Sequence, residues 1–217
     1  DRRIRAAEQT SGRAAGAVSL LAVSKTKPSE LVRQAHRSGL CAFGENYAQE
    51  MAEKAAALAD LPLSWHFIGP IQSNKTALIA KVSDWVHSID RLKVARRLSE
   101  QRPGDKAPLN VLVQINTSNE DSKSGVRPDA APELMAAIKE LRGLRLRGLM
   151  TIPAATTNQT EQREPFRRLR ELMNQLSDSL PQLDTLSMGM SGDLEAAISE
   201  GANIVRVGTD IFGARYN

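Results

Sequence analysis

The chain has 217 residues, 41% of them hydrophobic and 25% charged, with a formal net charge of +4 and a single cysteine. That profile suits one substantial globular core. It excludes an internal disulfide framework and, for want of any long apolar run, a transmembrane helix. Two Tyr, two Trp and four Phe supply few stacking platforms, and the arginines are dispersed: Arg2, Arg3 and Arg5 near the start, then Arg163, Arg167, Arg168 and Arg170 together. Solvated helix faces are therefore expected, and no nucleic-acid surface. Cys41 lies in an apolar run and is expected to be a small core residue of a protein kept reduced, in the cytoplasm. The sequence begins at Asp1 with no basic-then-apolar leader, so no secretory signal is expected, and the missing initiator Met points to absent N-terminal residues.

In chain order, residues 1–15 form a charged, Ala-rich helix. Apolar β-type runs then follow at 20–25, 41–46, 64–69, 85–90, 109–116, 144–153, 185–190 and 203–208. Helical patterns separate them at 29–38, 47–58, 73–82, 91–101, 129–142 and 161–180, and a last one follows at 193–200. Unbroken alternation of this kind predicts a parallel sheet with right-handed crossovers. Eight units in so short a chain fit a closed (β/α)8 TIM barrel better than the competing open, doubly wound sheet. No linker or composition break interrupts the pattern, so residues 1–217 are expected to form a single domain. The long polar loop at 116–127 is expected to be a flap over the barrel mouth.

Chemistry in such barrels gathers at the carboxyl ends of the strands. The first run ends in Lys25, followed by Pro28. Lys25 is either a snorkelling surface lysine or, in dry surroundings, an amine able to attack an aldehyde. The second run delivers Glu45, Asn46 and Tyr47. His66, near the middle of the third, is expected to be a hydrogen-bonded core histidine, and His36 to lie on a helix surface. Near the end, Ser191 can cap the helix that follows it and present free amides to an anion. Gly208 and Thr209 add a close backbone approach and a hydroxyl. Each segment alone reads as ordinary capping, but both in register suggest a phosphate cradle. Arg206 shares strand parity with Gly208 and should point inward, towards an internal salt bridge with Glu45 or Asp90 or towards a ligand. No metal-binding spacing, dinucleotide fingerprint, P-loop or nucleophile elbow occurs.

The stretches Ala22-Val23-Ser24-Lys25-Thr26-Lys27-Pro28, Phe43-Gly44-Glu45-Asn46-Tyr47 and Trp65-His66-Phe67-Ile68-Gly69-Pro70 carry a further signal, as do Leu186-Ser187-Met188-Gly189-Met190-Ser191 and Val205-Arg206-Val207-Gly208-Thr209. Together they resemble the pyridoxal phosphate homeostasis protein family. The resemblance implies a barrel similar to the N-terminal domain of alanine racemase, without its second, β-rich domain. It implies pyridoxal 5'-phosphate (PLP) as cofactor, joined to Lys25 as a Schiff base. It places the phosphate on Ser191, Gly208 and Thr209, Asn46 beside the ring, and Arg206 opposite the pyridine nitrogen. The implied role is a carrier and regulator of PLP supply with no established catalytic turnover; PLP-requiring apo-enzymes are candidate partners, and the absence of a second domain suggests a monomer. Two alternatives stay open: a weak PLP-dependent amino-acid racemase, and a lysine Schiff-base aldolase acting on sugar phosphates. An arginine facing the ring nitrogen keeps that nitrogen unprotonated, which disfavours transamination and decarboxylation. Racemisation needs acid/base groups on both faces of the substrate, and the only tyrosines here are Tyr47 and Tyr216.

Overall fold

The computed structural model describes residues 1–118, 124–156 and 158–213. Eight parallel strands close into a barrel in sequence order. They are β1 (Ser19–Val23), β2 (Ala42–Glu45), β3 (Ser64–Phe67), β4 (Trp85–Ile89), β5 (Leu109–Gln114), β6 (Leu144–Met150), β7 (Thr185–Met190) and β8 (Ile204–Val207). The barrel closes through β1 and β8, with Leu21 beside Arg206 and Ala22 beside Val207. The α-helices are α1 (Arg2–Thr10), α2 (Ser29–Arg37), α3 (Ala48–Ala57), α4 (Thr76–Val82), α5 (Leu92–Glu100), α6 (Ala131–Lys139), α7 (Gln159–Ser177), α8 (Leu194–Ser199) and α9 (Thr209–Phe212).

The helices hold their places because each turns one apolar stripe inward. In α6, Ala131, Met135 and Ile138 are buried at helical spacing, as are Val94, Ala95 and Leu98 in α5. Fully burying a side chain such as Leu98 stabilises the fold by about 1.5–3 kcal/mol. The strands divide their residues by parity. Val205 and Val207 belong to the large apolar layer between barrel and helices, whereas Ile204 packs with Leu21 and Ile68 in a small cluster inside the barrel. Arg206 shares the inward parity of Ile204.

The two strands that frame the last loops fall out of register. Ser187 pairs with Ile204, but Met190 pairs with Arg206, so β7 carries one more residue than β8 over this span. The extra residue is accommodated around Gly189, whose φ of 94° lies in the left-handed region and whose Cβ, if present, would come within 2.5 Å of the Ala197 side chain. Glycine meets both demands at this β-bulge, which re-aims Met190 and Ser191 over the mouth. The strands are shorter at their carboxyl ends than the apolar runs suggested, because Lys25, Asn46 and Gly208 already lie in loops. Helix α9, four residues long, was not signalled by any periodicity. Cys41 is exposed and precedes β2, so it is not the core residue its apolar neighbours suggested.

Candidate functional site

Lys25 stands two residues past the end of β1. The Ser24 amide donates to the Gly44 carbonyl at 3.0 Å, carrying the strand ladder one residue further, and Lys25 leaves it half-buried at the barrel mouth. Thr26 then takes φ 64°, a left-handed conformation that costs a β-branched residue energy. Its amide donates to Glu50 Oε1 at 2.6 Å. The same carboxylate oxygen accepts from Lys54 Nζ at 2.7 Å, and Lys54 Nζ also donates to the Ser24 carbonyl and to Glu45 Oε1, each at 2.7 Å. Lys54 thus stands inside the wall between β2 and α3, and the residues on both sides of Lys25 are tied to α3 through it. Glu45 faces this helix rather than the mouth. Burial pushes its carboxyl pKa up, against the pull of Lys54 and of the Ser24 hydroxyl, which donates to Oε1 at 2.6 Å.

At the other side of the mouth, Gly208 backs directly onto β1. A Cβ there would lie 3.1 Å from the Val23 carbonyl oxygen, so the backbone approach leaves little space for a side chain. Thr209 opens α9, and the first amides of that turn have no carbonyl within their own helix to bond. Ser191 does not cap α8, contrary to the sequence expectation. The cap residue is Asp193, whose carboxylate turns back to accept the Met190 amide at 2.6 Å, leaving Ser191 in the turn between them. Burial raises the Asp193 pKa against the opposing charge of Arg206. Arg3 of α1 spans both turns from outside, donating to Glu195 Oε1 of α8 and Asp210 Oδ2 of α9, each at 2.8 Å.

Arg206 is 3% exposed and makes neither of the expected ion pairs. Glu45 is held by Lys54 and Asp90 by Arg91. Arg206 instead donates through Nη1 to the Ser187 carbonyl and hydroxyl, both at 2.7 Å, and through Nη2 to the Thr151 carbonyl at 2.8 Å. Those bonds employ three of its five N–H donors. Burial lowers its pKa to about 10, so it stays charged at neutral pH.

Asn46 leaves β2 at the same end. Its Oδ1 is buried and has no partner among the described residues. Its backbone is pressed against Gly69, where a Cβ would fall 2.1 Å from the Asn46 carbonyl oxygen. Only a residue without a side chain fits there. Gly69→Ala is expected to push Asn46 out of place, lowering stability by about 1–3 kcal/mol and weakening ligand binding at the mouth. Urea unfolding together with a ligand titration checks both effects.

Below the mouth, His66 and His87 are buried and hydrogen-bonded, as expected for His66, and burial depresses both pKa values, that of His66 from 6.5 to about 3. Because these folded-state values lie below the unfolded one, the stability gained from the neutral rings is complete above pH 6.5 and is lost as pH falls towards 3. Each histidine is expected to remove about 1.4 kcal/mol per pH unit over that descent. Glu45 and Asp193, with raised values, act in the opposite sense and are common to wild type and variant. Urea midpoints followed from pH 7 to 5 should therefore fall more steeply for the wild type than for the His66→Leu/His87→Leu variant.

Sequence reasoning thus located Lys25, Asn46, Arg206, Gly208 and Thr209 at one end of the barrel, where β1, β2 and β8 run side by side. It missed Lys54 and Glu50, whose signal was a Glu–Lys pair four residues apart beside a strand-end glutamate. It missed Ser187 and Thr151 as partners of Arg206. The middle of the 116–127 flap lies outside the described residues, as does Tyr216, and at its base the amide of Asn116 donates to the Val126 carbonyl at 2.9 Å. The later arginines are paired: Arg163 donates to Glu200 at 2.7 Å and Arg168 to Glu164 at 2.9 Å. Among the described residues no helix is long and apolar enough to cross a membrane.

The alanine racemase N-terminal domain family matches residues 2–216. The pyridoxal phosphate homeostasis protein of Pseudomonas aeruginosa is 61% identical over 213 residues, spanning 98% of this chain and 91% of its own. That of Escherichia coli K12 is 50% identical over 216 residues, spanning 98% and 92%. Among solved structures, PipY of Synechococcus elongatus PCC7942 with PLP bound superposes with a TM-score of 0.84 at 33% identity, over 97% of this chain and all (100%) of that one. Alanine racemase from Corynebacterium glutamicum, at 16% identity, shares the fold, with a TM-score of 0.72 over 100% of this chain and 61% of its own.

Proposed function

The chain belongs to the pyridoxal phosphate homeostasis protein family, built on the alanine racemase N-terminal barrel, and on that premise we propose that it binds PLP at the barrel mouth and serves cellular PLP supply. PLP supplies an aldehyde that condenses with an amine to a Schiff base, and Lys25 is the amine proposed to receive it. Ser191, Gly208 and Thr209 bind the phosphate through backbone amides and hydroxyls. Arg206 would offer a remaining N–H to the ring nitrogen and so keep it unprotonated, and Asn46 would stand beside the ring.

The observation that carries this reading is that Lys25 and Gly208 lie just past the carboxyl ends of the neighbouring strands β1 and β8, with Gly208 packed against Val23. The donor set fits the group. The buried, unpartnered Asn46 Oδ1 is an acceptor waiting for a donor, and the ring of PLP carries a hydroxyl. Gly208 packs its backbone onto Val23 of β1 immediately before the turn of α9, whose first amides have no carbonyl within their own helix to bond.

In this reading the protein is a carrier and not an enzyme, acting as a single-domain cytoplasmic monomer that supplies PLP-requiring apo-enzymes. Racemisation would need a second acid/base group on the face opposite Lys25. Tyr47 is 58% exposed at the start of α3, a poor position for a buried proton donor. The test is to incubate the PLP-loaded protein with excess L-amino acid and follow the D-isomer. The carrier reading expects no accumulation beyond one equivalent of protein. Sustained turnover would replace it with the racemase reading.

A further inference from the structure

The barrel interior holds a polar chain that PLP binding as proposed does not use. It starts at Arg206 Nη1, which donates to Ser187 Oγ at 2.7 Å. Ser187 Oγ lies 2.9 Å from His87 Nδ1, His87 Nε2 lies 2.9 Å from His66 Nδ1, and His66 Nε2 lies 3.2 Å from Ser64 Oγ. The line crosses the barrel from β8 through β7 and β4 to β3. It ends on a floor where Trp85 stacks against His66 at 5.6 Å and Arg147 covers Trp85 at 4.8 Å. Both histidines are buried, and their depressed pKa values keep them neutral.

A neutral imidazole carries one N–H, so the contact between the two rings holds a single proton. That fixes the tautomers as a pair. If the proton is on His87 Nε2, then His87 Nδ1 accepts from the Ser187 hydroxyl and His66 donates through Nε2 to Ser64. If it is on His66 Nδ1, then His87 donates through Nδ1 to Ser187. In the second arrangement Ser187 Oγ receives N–H groups from both Arg206 and His87, and its own hydrogen has no described acceptor in a dry interior, a costly state. The first arrangement satisfies every fully buried member and leaves over only the hydroxyl hydrogen of Ser64, which is half-buried at the start of β3 and not enclosed as Ser187 is.

We infer that His87 and His66 are positioning residues: a matched pair of Nε2–H tautomers that turns the Ser187 hydroxyl away from Arg206, leaves its lone pair for the guanidinium, and so sets the angle at which Arg206 meets the ring nitrogen of PLP. The last step rests on the cofactor reading above, whereas the tautomer pair does not. His36 provides an internal contrast, since its Nδ1 faces the Leu40 carbonyl at 3.0 Å and must be the protonated nitrogen when the ring is neutral.

The test has two arms. The first is 15N NMR of histidine-labelled protein free of PLP, at pH 7.5. His66 and His87 are expected with bare Nδ1 and protonated Nε2, and His36 with the reverse. An Nδ1–H signal from either dyad ring overturns the inference whatever the cofactor does. The second arm compares PLP-loaded His87→Phe with His87→Asn, in which the amide oxygen stands in for Nδ1 towards Ser187. His87→Phe is expected to shift the near-visible absorption maximum and weaken PLP retention about tenfold, and His87→Asn to recover the wild-type band. A folded His87→Phe protein with unaltered band and affinity overturns the positioning role. A wild-type protein that forms no lysine-linked band overturns the cofactor reading instead, and leaves the NMR arm to decide the tautomers.

Discussion

Lys25→Ala is expected to abolish the near-visible absorption band of the PLP-loaded protein and to weaken PLP binding about a hundredfold or more, roughly 2.7 kcal/mol. The phosphate turns and Arg206 remain in the variant, so residual binding persists without the covalent link. The Lys54 network reaches this loop through the main chain, at the Ser24 carbonyl and the Thr26 amide, and the substitution leaves both in place. The fold should therefore survive, with an unfolding midpoint close to that of the wild type. Spectrophotometric titration with PLP, alongside circular dichroism, reads both quantities. A variant that keeps the band would transfer the Schiff base to another lysine.

The largest stability effect is expected from Lys54→Met. The ammonium is buried and donates to Ser24, Glu45 and Glu50, so its removal leaves the carboxylate of Glu45 enclosed without a counter-charge. Breaking one side of a buried pair costs about 3–5 kcal/mol. In a chain of this length that lowers Tm by roughly 6–20 °C. The pH dependence has a definite sign. Burial raises the Glu45 pKa above its ordinary 4.5, and loss of Lys54 raises it further. A group with a raised folded-state pKa favours folding at low pH, and that contribution is lost as pH rises through the folded value. The deficit of Lys54→Met should therefore be larger at pH 8 than at pH 5. The double variant Glu45→Gln/Lys54→Met, which buries no charge at that position, should recover more than half of the loss. Calorimetry at the two pH values decides, and a deficit below about 1 kcal/mol at both would contradict the assigned network. Glu50, which accepts the Thr26 amide, would also lose its lysine partner, so the loop that carries Lys25 is held less firmly and PLP binding should weaken in the single variant beyond what stability explains.

The barrel was legible because its evidence is repeated eight times: short apolar runs alternating with helical stripes admit few topologies. The mouth residues were legible for the same reason, since Lys25, Asn46 and Gly208 each follow a strand. Side-chain partnership was not. Arg206 was correctly expected to point inward, but its acceptors, Ser187 and Thr151, lie 19 and 55 residues away and include two main-chain carbonyls that no motif encodes. Ser191 looked like a helix cap because it is a serine before an acidic turn. Asp193, two residues on, takes the position because the bulge at Gly189 shifts the strand end. Cys41 was misplaced by reading an apolar neighbourhood as burial, when the chain is still in the turn before β2. The Lys54 network was invisible for a related reason. A lysine on an amphipathic helix is ordinarily solvated, and only the packing of α3 against β2 encloses this one.

The central claim is that one amine, that of Lys25, receives the aldehyde of PLP. The most direct measurement is borohydride reduction of the PLP-loaded protein, followed by proteolysis and peptide mass mapping. Reduction converts the C=N bond to a stable secondary amine and fixes the label where it formed. The account predicts a single modified lysine, Lys25, with stoichiometry approaching one. Label on Lys27, Lys54 or Lys75, or PLP released unattached after reduction, would contradict it.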